Sequence, residues 1–156
     1  MKIEESYVMI KPEFADFDEV IRKIRGKILA QNLIIRQEGF VKYDKKAAQK
    51  HYEEHLEKPF YQELEDYITS GKVYGMVVVG DNVINKIRYI VQKDKKAGLQ
   101  KGDIRYDIPK MLNREFDMTK NVIHASDKPE SARKEIAIFD DLLYNKIYKQ
   151  KDELTR

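Results

Sequence analysis

The chain contains no cysteine. A disulfide framework, a thiolate nucleophile and a Cys-ligated zinc are therefore excluded together. It also lacks any run approaching the ~20 apolar residues that a membrane-spanning helix requires, so no membrane partner is expected. The opening residues, Met1-Lys2-Ile3-Glu4-Glu5-Ser6, hold no apolar signal-peptide core. Secretion is not expected from such a start, and a cytoplasmic location is. There is no internal repeat, no low-complexity tract and no linker long enough to divide 156 residues, so a single domain over 1–156 is expected. Charge of one sign is scarce too: 30 basic against 27 acidic residues leave +3, modest for a binder of nucleic acid.

What is present is a mixture suited to a small folded domain. Apolar residues make up 42%, including 10 Tyr and 6 Phe, enough for a core. Charged residues reach 37%, against roughly 25% in an average soluble domain. Their placement is uneven. From Lys86 to Arg105 seven basic residues oppose Asp94 and Asp103, whereas from Glu53 to Asp66 six carboxylates oppose only Lys58. A local basic stretch of this kind suits an anion site better than a general polyanion surface.

Hydrophobic periodicity outlines the elements. Tyr7 to Ile10 reads as a strand that stops at Lys11-Pro12. Phe17, Val20, Ile21, Ile24 and Ile28 recur at helical spacing behind an Asp16/Glu19 capping box. Leu33 to Val41 reads as a second strand, Asp44 as the cap of a helix through about Leu56, and Pro59 as the first turn of another that Gly71 ends. Val73 to Val79 is the clearest buried strand, followed by a helix capped by Asp81. A polar loop is predicted from Lys93 to about Thr119, a short strand at 121–124, a helix from Asp127 through Phe139, and a short amphipathic helix in the last seventeen residues. This order predicts an α+β fold with helices packed on a small, mostly antiparallel sheet.

Three histidines, at 51, 55 and 124, are candidates for chemistry. His51 and His55 are four apart, but Tyr52 stands where the zinc-protease pattern needs glutamate, and no third ligand is evident. The pair reads as partly exposed helical residues, and no metal site is assigned. His124 ends an apolar strand and precedes Ala125-Ser126-Asp127, which opens a helix, so its imidazole lies where helix N–H groups can hold an anion. Lys11, Tyr52, Arg88, Arg105 and Asn121 likewise fall near element ends or in loops.

Asn121-Val122-Ile123-His124-Ala125-Ser126-Asp127, with Glu135 eleven residues after the histidine, resembles the active-site signature of nucleoside diphosphate kinases. The remaining motifs are collinear with that family over about residues 4–139: Tyr7 to Pro12, His51-Tyr52, Pro59-Phe60-Tyr61, Ser70-Gly71 before the central strand, Asn82-Val83, Arg88, and Gly102-Asp103-Ile104-Arg105. The resemblance implies a ferredoxin-like fold with a four-stranded antiparallel sheet covered by helices. It implies ping-pong transfer of a γ-phosphoryl group from a nucleoside triphosphate to a nucleoside diphosphate through phosphohistidine at His124.

By the same resemblance, Glu135 orients the imidazole, Ser126 matches the serine beside it, and Tyr52 matches a hydroxyl near the moving phosphoryl. Arg88 and Arg105 contact phosphate, as does the position of Asp94. Lys11 and Asn121 meet the sugar hydroxyls, Phe60 with Leu64 forms the shelf for the base, and Met118 supplies the opposite face. Mg2+ is carried with the nucleotide phosphates, the partners are nucleoside di- and triphosphates with no specific nucleic acid, and a homo-oligomer is expected.

Three departures from the family pattern stand out. The family's threonine is Asp94 here. About six additional residues lie between Asp107 and Asn121, read as an insertion at 109–118. The loop Glu13 to Asp18 has no glycine. Residues 140–156 are read as a C-terminal extension. Two other readings compete: a non-catalytic nucleotide-binding or regulatory relative, which Asp94 favours, and an RNA-binding module, which the lack of aromatics other than Tyr74 in Val73 to Val79 disfavours.

Overall fold

A computed structural model describes residues 3–118 and 120–155; Thr119, the expected end of the long loop, lies outside them. Four strands, β1 (Ile3–Ile10), β2 (Ile34–Val41), β3 (Val73–Asp81) and β4 (Ile123–Ala125), form one sheet in the order β2-β3-β1-β4 with every neighbouring pair antiparallel. The helices are α1 (Asp18–Leu29), α2 (Lys45–His51), α3 (Tyr61–Ile68), α4 (Val83–Val91), α5 (Ile104–Met111) and α6 (Pro129–Thr155). β1 lies in the interior of the sheet, and its Tyr7 to Ile10 segment is buried throughout, as its continuous apolar run requires. α1 and α4 pack together, and α6 lies across β1 and β2 beside α2. This is the ferredoxin-like α+β arrangement expected from the sequence.

The helical periodicities place the core correctly. Val20, Ile21, Ile24 and Ile28 of α1 are buried, as are Val83, Ile84, Ile87 and Val91 of α4. Asp44 caps α2 by accepting the Ala47 N–H at 2.7 Å. Two other residues expected as caps do not stand at the N-cap position, which Phe17 and Asn82 occupy. Asp16 belongs to a 3₁₀ turn, Phe14–Asp16, so α1 starts after Phe17 without a side-chain cap. Asp81 ends β3, and Asn82, with φ of 54°, leads into α4.

Two elements differ from expectation. The polar loop contains α5, whose signal is only Ile104 and Ile108, four apart and both buried, with Pro109 interrupting the pattern. The last residues are not a separate helix. From Glu130 to Thr155 there is no glycine or proline to stop it, and α6 continues for 27 residues.

α6 approaches the sheet closely because two cross-strand glycines leave a notch for it. Gly39 and Gly75 are paired across β2 and β3. A Cβ on Gly75 would meet the Phe139 ring at 2.5 Å, and one on Gly39 would meet Leu143 at 3.2 Å. Phe139 and Leu143, one helical turn apart, fill the space two side chains would occupy. Gly75→Ala is therefore expected to destabilise the fold by about 1–3 kcal/mol through overpacking, read as a lower urea midpoint at unchanged slope. Gly26→Ala, with open space at its Cβ within α1, is expected to shift the midpoint the other way, by about 0.5–1 kcal/mol.

Candidate active site

β4 is only three residues long, yet it sets the position of His124, because Met9↔His124 is a directly opposed pair. Opposed residues point to the same face, so His124 joins Tyr7 on the face covered by α2 and α6; the two rings lie 6.2 Å apart. The chain enters β4 through a three-residue turn. Ile123 N–H donates to Asn121 O at 2.9 Å, and buried Val122 sits at φ of 76°. A β-branched residue is strained there. Lys11 N–H holds the turn by donating to Val122 O at 2.9 Å.

The His124 imidazole faces a carboxyl group. Its Nε2 lies 2.9 Å from Glu135 Oε1 but is not aligned for a hydrogen bond; this nitrogen is buried and otherwise unpartnered. Glu135 is buried on α6, and Ser126 Oγ donates to its Oε1 at 2.7 Å. Ser126 itself accepts the Tyr7 N–H at 2.9 Å. Ser126 is thus fully buried and reaches His124 only through Glu135. At the start of α6, Asp127 takes a hydrogen bond from Ser131, which holds its carboxyl below the usual carboxylate range.

His124, Tyr52, Arg88, Arg105 and Glu135 line one cavity of about 610 Å³. Burial raises the Tyr52 phenol well above its ordinary range. Arg105 donates to the carbonyls of Asn121 (3.2 Å) and Ile123 (3.0 Å). Burial and then the nearby Arg88 guanidinium lower its pKa. Two cations held together in this way favour an anion between them. Beside Arg105, buried Lys11 donates to Asn121 Oδ1. Its pKa is pushed down to about 8, by burial first and Arg105 second.

The remaining expected residues lie elsewhere. Phe60 is 46% exposed, contacts the His55 ring at 5.7 Å and has Lys58 above it; Leu64 is half-buried one turn on. Met118 is 83% exposed. None of the three lines the cavity around His124. Asp94 also does not: its Oδ1 accepts from Lys96 N–H (2.9 Å) and Ala97 N–H (3.3 Å), so the carboxylate is engaged in its own loop. Lys93 and Lys95 on either side do line it. Buried Asp103 fastens this loop at both ends by accepting from Lys93 N–H and Gln100 N–H at 3.0 and 2.9 Å.

His51 is the residue that sequence reasoning placed wrongly. It does not share a helix face with His55, since α2 ends at His51 and His55 belongs to a separate 3₁₀ turn. It is buried against His124, ring centroids 4.6 Å apart. The available signal was the spacing of Ala47, Ala48 and His51, which marks the buried face of α2. Donor atoms of His51, His124 and Glu135 all lie within 4.8 Å of one another. This imidazole-rich set does not suit magnesium, a hard cation that takes oxygen ligands. Among the described residues, no helix is long and apolar enough to cross a membrane.

Lys11 gives the site a testable pH dependence. A lysine lowered to about 8 is charged below that pH and neutral above it. Nucleotide affinity is expected to weaken as pH rises through about 8, and Lys11→Arg should move that limb upward. The check is diphosphate affinity measured from neutral to alkaline pH for both proteins.

Comparison with known proteins bears on the family and the fold. The family model for nucleoside diphosphate kinase matches residues 4–141. Nucleoside diphosphate kinases of Listeria welshimeri and Methanothermobacter thermautotrophicus are 38% and 39% identical over 137 and 143 residues. The first alignment covers 88% of both chains, the second 89% of this chain and 88% of the relative. The solved structure of the Aquifex aeolicus nucleoside diphosphate kinase superposes with a TM-score of 0.75 at 28% identity, covering 88% of this chain and 95% of its own. That of the Encephalitozoon cuniculi enzyme does so at 0.74 and 27%, with 86% and 87% covered. With its motifs, its fold and most of its length in agreement, this chain belongs to the nucleoside diphosphate kinase family.

Proposed function

We propose that the chain transfers the γ-phosphoryl group of a nucleoside triphosphate to a nucleoside diphosphate, with His124 as the covalent carrier. The observation that carries this reading is a histidine in a cavity whose other walls supply two arginines and two lysines. Neutral imidazole is a competent nucleophile near neutral pH and a good leaving group, which both halves of the cycle need. Because Nε2 is buried against Glu135, Nδ1 is the nitrogen left for the cavity. Its lone pair forms the N–P bond as the bond from the γ-phosphorus to the β–γ bridging oxygen breaks. That electron pair leaves on the diphosphate. In the second half a terminal oxygen of the acceptor diphosphate attacks the same phosphorus, and the electron pair of the N–P bond returns to Nδ1.

Transfer of this kind depends on in-line placement and spread positive charge. Arg88 and Arg105 hold phosphate oxygens, and Tyr52 presents its hydroxyl to the moving group. Glu135 takes the Nε2 proton as a hydrogen bond, with Ser126 positioning the carboxylate. Lys11 and Asn121, already joined to one another, meet the sugar. Phe60 and Leu64 form the base shelf at the outer end of the site, with Met118 opposite. Asp94 contributes no contact to phosphate, because its carboxylate caps the loop that carries Lys93 and Lys95; this removes the feature that favoured a non-catalytic relative. Magnesium enters as part of the substrate, bound to the phosphates. Residues 1–156 act as one domain, with 109–118 as an insertion and 140–156 as an extension, and copies of the chain associate into a homo-oligomer; light scattering of the purified protein tests the last point.

Incubation with γ-labelled ATP should label the protein with an acid-labile, base-stable bond, and His124→Ala should abolish it. Labelling that persists in that variant overturns the assignment. Arg88→Ala and Arg105→Ala each remove charge-assisted bonds of roughly 1.5–3 kcal/mol. The expected fall in kcat/KM is therefore about 10- to 150-fold, equal for ATP and GTP. Asp94→Thr should leave diphosphate affinity unchanged at every magnesium concentration.

A further inference from the structure

His51 has two polar ring atoms that the fold leaves without partners. It is 5% exposed, and neither Nδ1 nor Nε2 has a hydrogen bond. Leaving a buried polar atom unpaired costs about 1–3 kcal/mol, so an aliphatic or phenyl ring would fill this place more cheaply unless the nitrogens serve something. The surroundings are aromatic: Tyr7 of β1 at 6.3 Å, Tyr43 after β2 at 5.7 Å, the adjacent Tyr52 at 4.7 Å. The Tyr7 and Tyr43 hydroxyls bond to each other at 2.8 Å, and neither bonds to His51. The polar group within reach is the Glu135–His124 couple. Burial, followed by the proximity of His124, Lys134 and Lys11, holds His51 well below the ordinary histidine range. It is therefore a neutral ring with one N–H to donate.

We propose that His51 is a positioning residue for the nucleophile: its ring N–H donates to the Glu135 carboxylate, which fixes His124 in the Nε2–H form that frees Nδ1 for phosphorus. This rests on the phosphohistidine reading above. A carboxylate accepts at about four lone-pair sites. Glu135 uses one for Ser126 at 2.7 Å and presents another to His124 Nε2 at 2.9 Å. A third donor within the same 4.8 Å cluster completes its coordination. In the structure the His51 nitrogens make no hydrogen bond, but one of them stands within 4.8 Å of the Glu135 carboxylate. A turn of the His51 ring closes this gap before nucleotide binds, so the contact acts on the tautomer of the free enzyme. His124 opposes Met9 in a three-residue strand, so its backbone is fixed, and ring orientation and proton placement are what remain to be set.

The test uses the whole protein with ¹⁵N-labelled histidine, together with single-turnover phosphorylation by ATP. Nitrogen shifts of the free enzyme report the tautomer without nucleotide, so they are independent of whether transfer occurs at all. Wild type is expected to show His124 with its proton on Nε2. His51→Phe keeps a ring but removes the donor, and is expected to give mixed tautomers at His124. Phosphorylation should slow about tenfold, well short of the roughly 10⁴-fold loss when the carboxylate orienting the histidine of a Ser-His-Asp hydrolase is neutralised, since Glu135 remains. Nucleotide affinity should be unchanged. His51→Gln, which restores an N–H donor, should recover part of both the tautomer preference and the rate. An Nδ1–H tautomer in wild type overturns the proposal, as does a His51→Phe variant with wild-type tautomer and rate. If His51→Phe fails to fold, the wild-type tautomer and His51→Gln decide. Absence of labelling at His124 in wild type would instead overturn the phosphohistidine reading, leaving the tautomer measurement interpretable by itself.

Discussion

A carboxylate withdrawn from water has to be answered by donors, and Glu135 is such a group. It sits on α6, which packs against β1 and β2. Ser126 is the donor the fold provides, and Ser126 is itself fixed because Tyr7 N–H donates to its Oγ. The path from the backbone of the interior strand to the carboxylate, and on to His124, is therefore short and wholly buried until it reaches the imidazole. β4 needs no more than three residues because its role is to bring His124 opposite Met9 and Ser126 beside Tyr7.

On the opposite side of the cavity the physics reverses. Arg88, Arg105, Lys93 and Lys95 line the cavity, four cations against the carboxylates of Glu54, Asp127 and Glu135. Like charges at close range raise the energy of the free site, which a phosphate group relieves on entry. The loop bearing the lysines is not left to find its shape in solution. Asp103 fastens both ends, and Asp107 adds a hydrogen bond from Gly102 N–H and an ion pair to Lys27 of α1. Acidic residues in this stretch brace the backbone, while Lys93 and Lys95 line the cavity.

Much of this was legible in the residues. Periodicity located α1, α4 and the central strand, and the N-x-x-H-x-S-D run with Glu135 marked a histidine and a glutamate that the fold brings within 2.9 Å of each other. What escaped did so for identifiable reasons. α5 is eight residues long, buries only Ile104, Ile108 and Pro109, and carries that proline inside it, so its helical pattern is too short and too interrupted to stand out. The Asp16 and Asp81 caps were inferred from residue type, but the backbone turns one residue later than the pattern suggests. The role of Asp94 depends on where a carboxylate points, which spacing alone does not encode. His51 was set aside because it was paired with the wrong neighbour. Its true partner, His124, is 73 residues away in the chain and is brought to it only by the packing of α2 on α6.

The unbroken course of α6 has a consequence for how this enzyme opens. Glu135, Phe139, Leu143 and Lys146 lie along one helix. The first touches His124, the next two fill the glycine notch over β3 and β2, and Lys146 donates to Phe40 O at 3.0 Å near the far end of β2. A helix anchored at these points cannot lift at the nucleophile while staying seated elsewhere. Amide hydrogens around Glu135 are thus tied to the same cooperative unit as those of the sheet, and exchange with solvent there reports global unfolding rather than local breathing. Glu135 and the His124 it faces therefore belong to one cooperative unit with the central sheet.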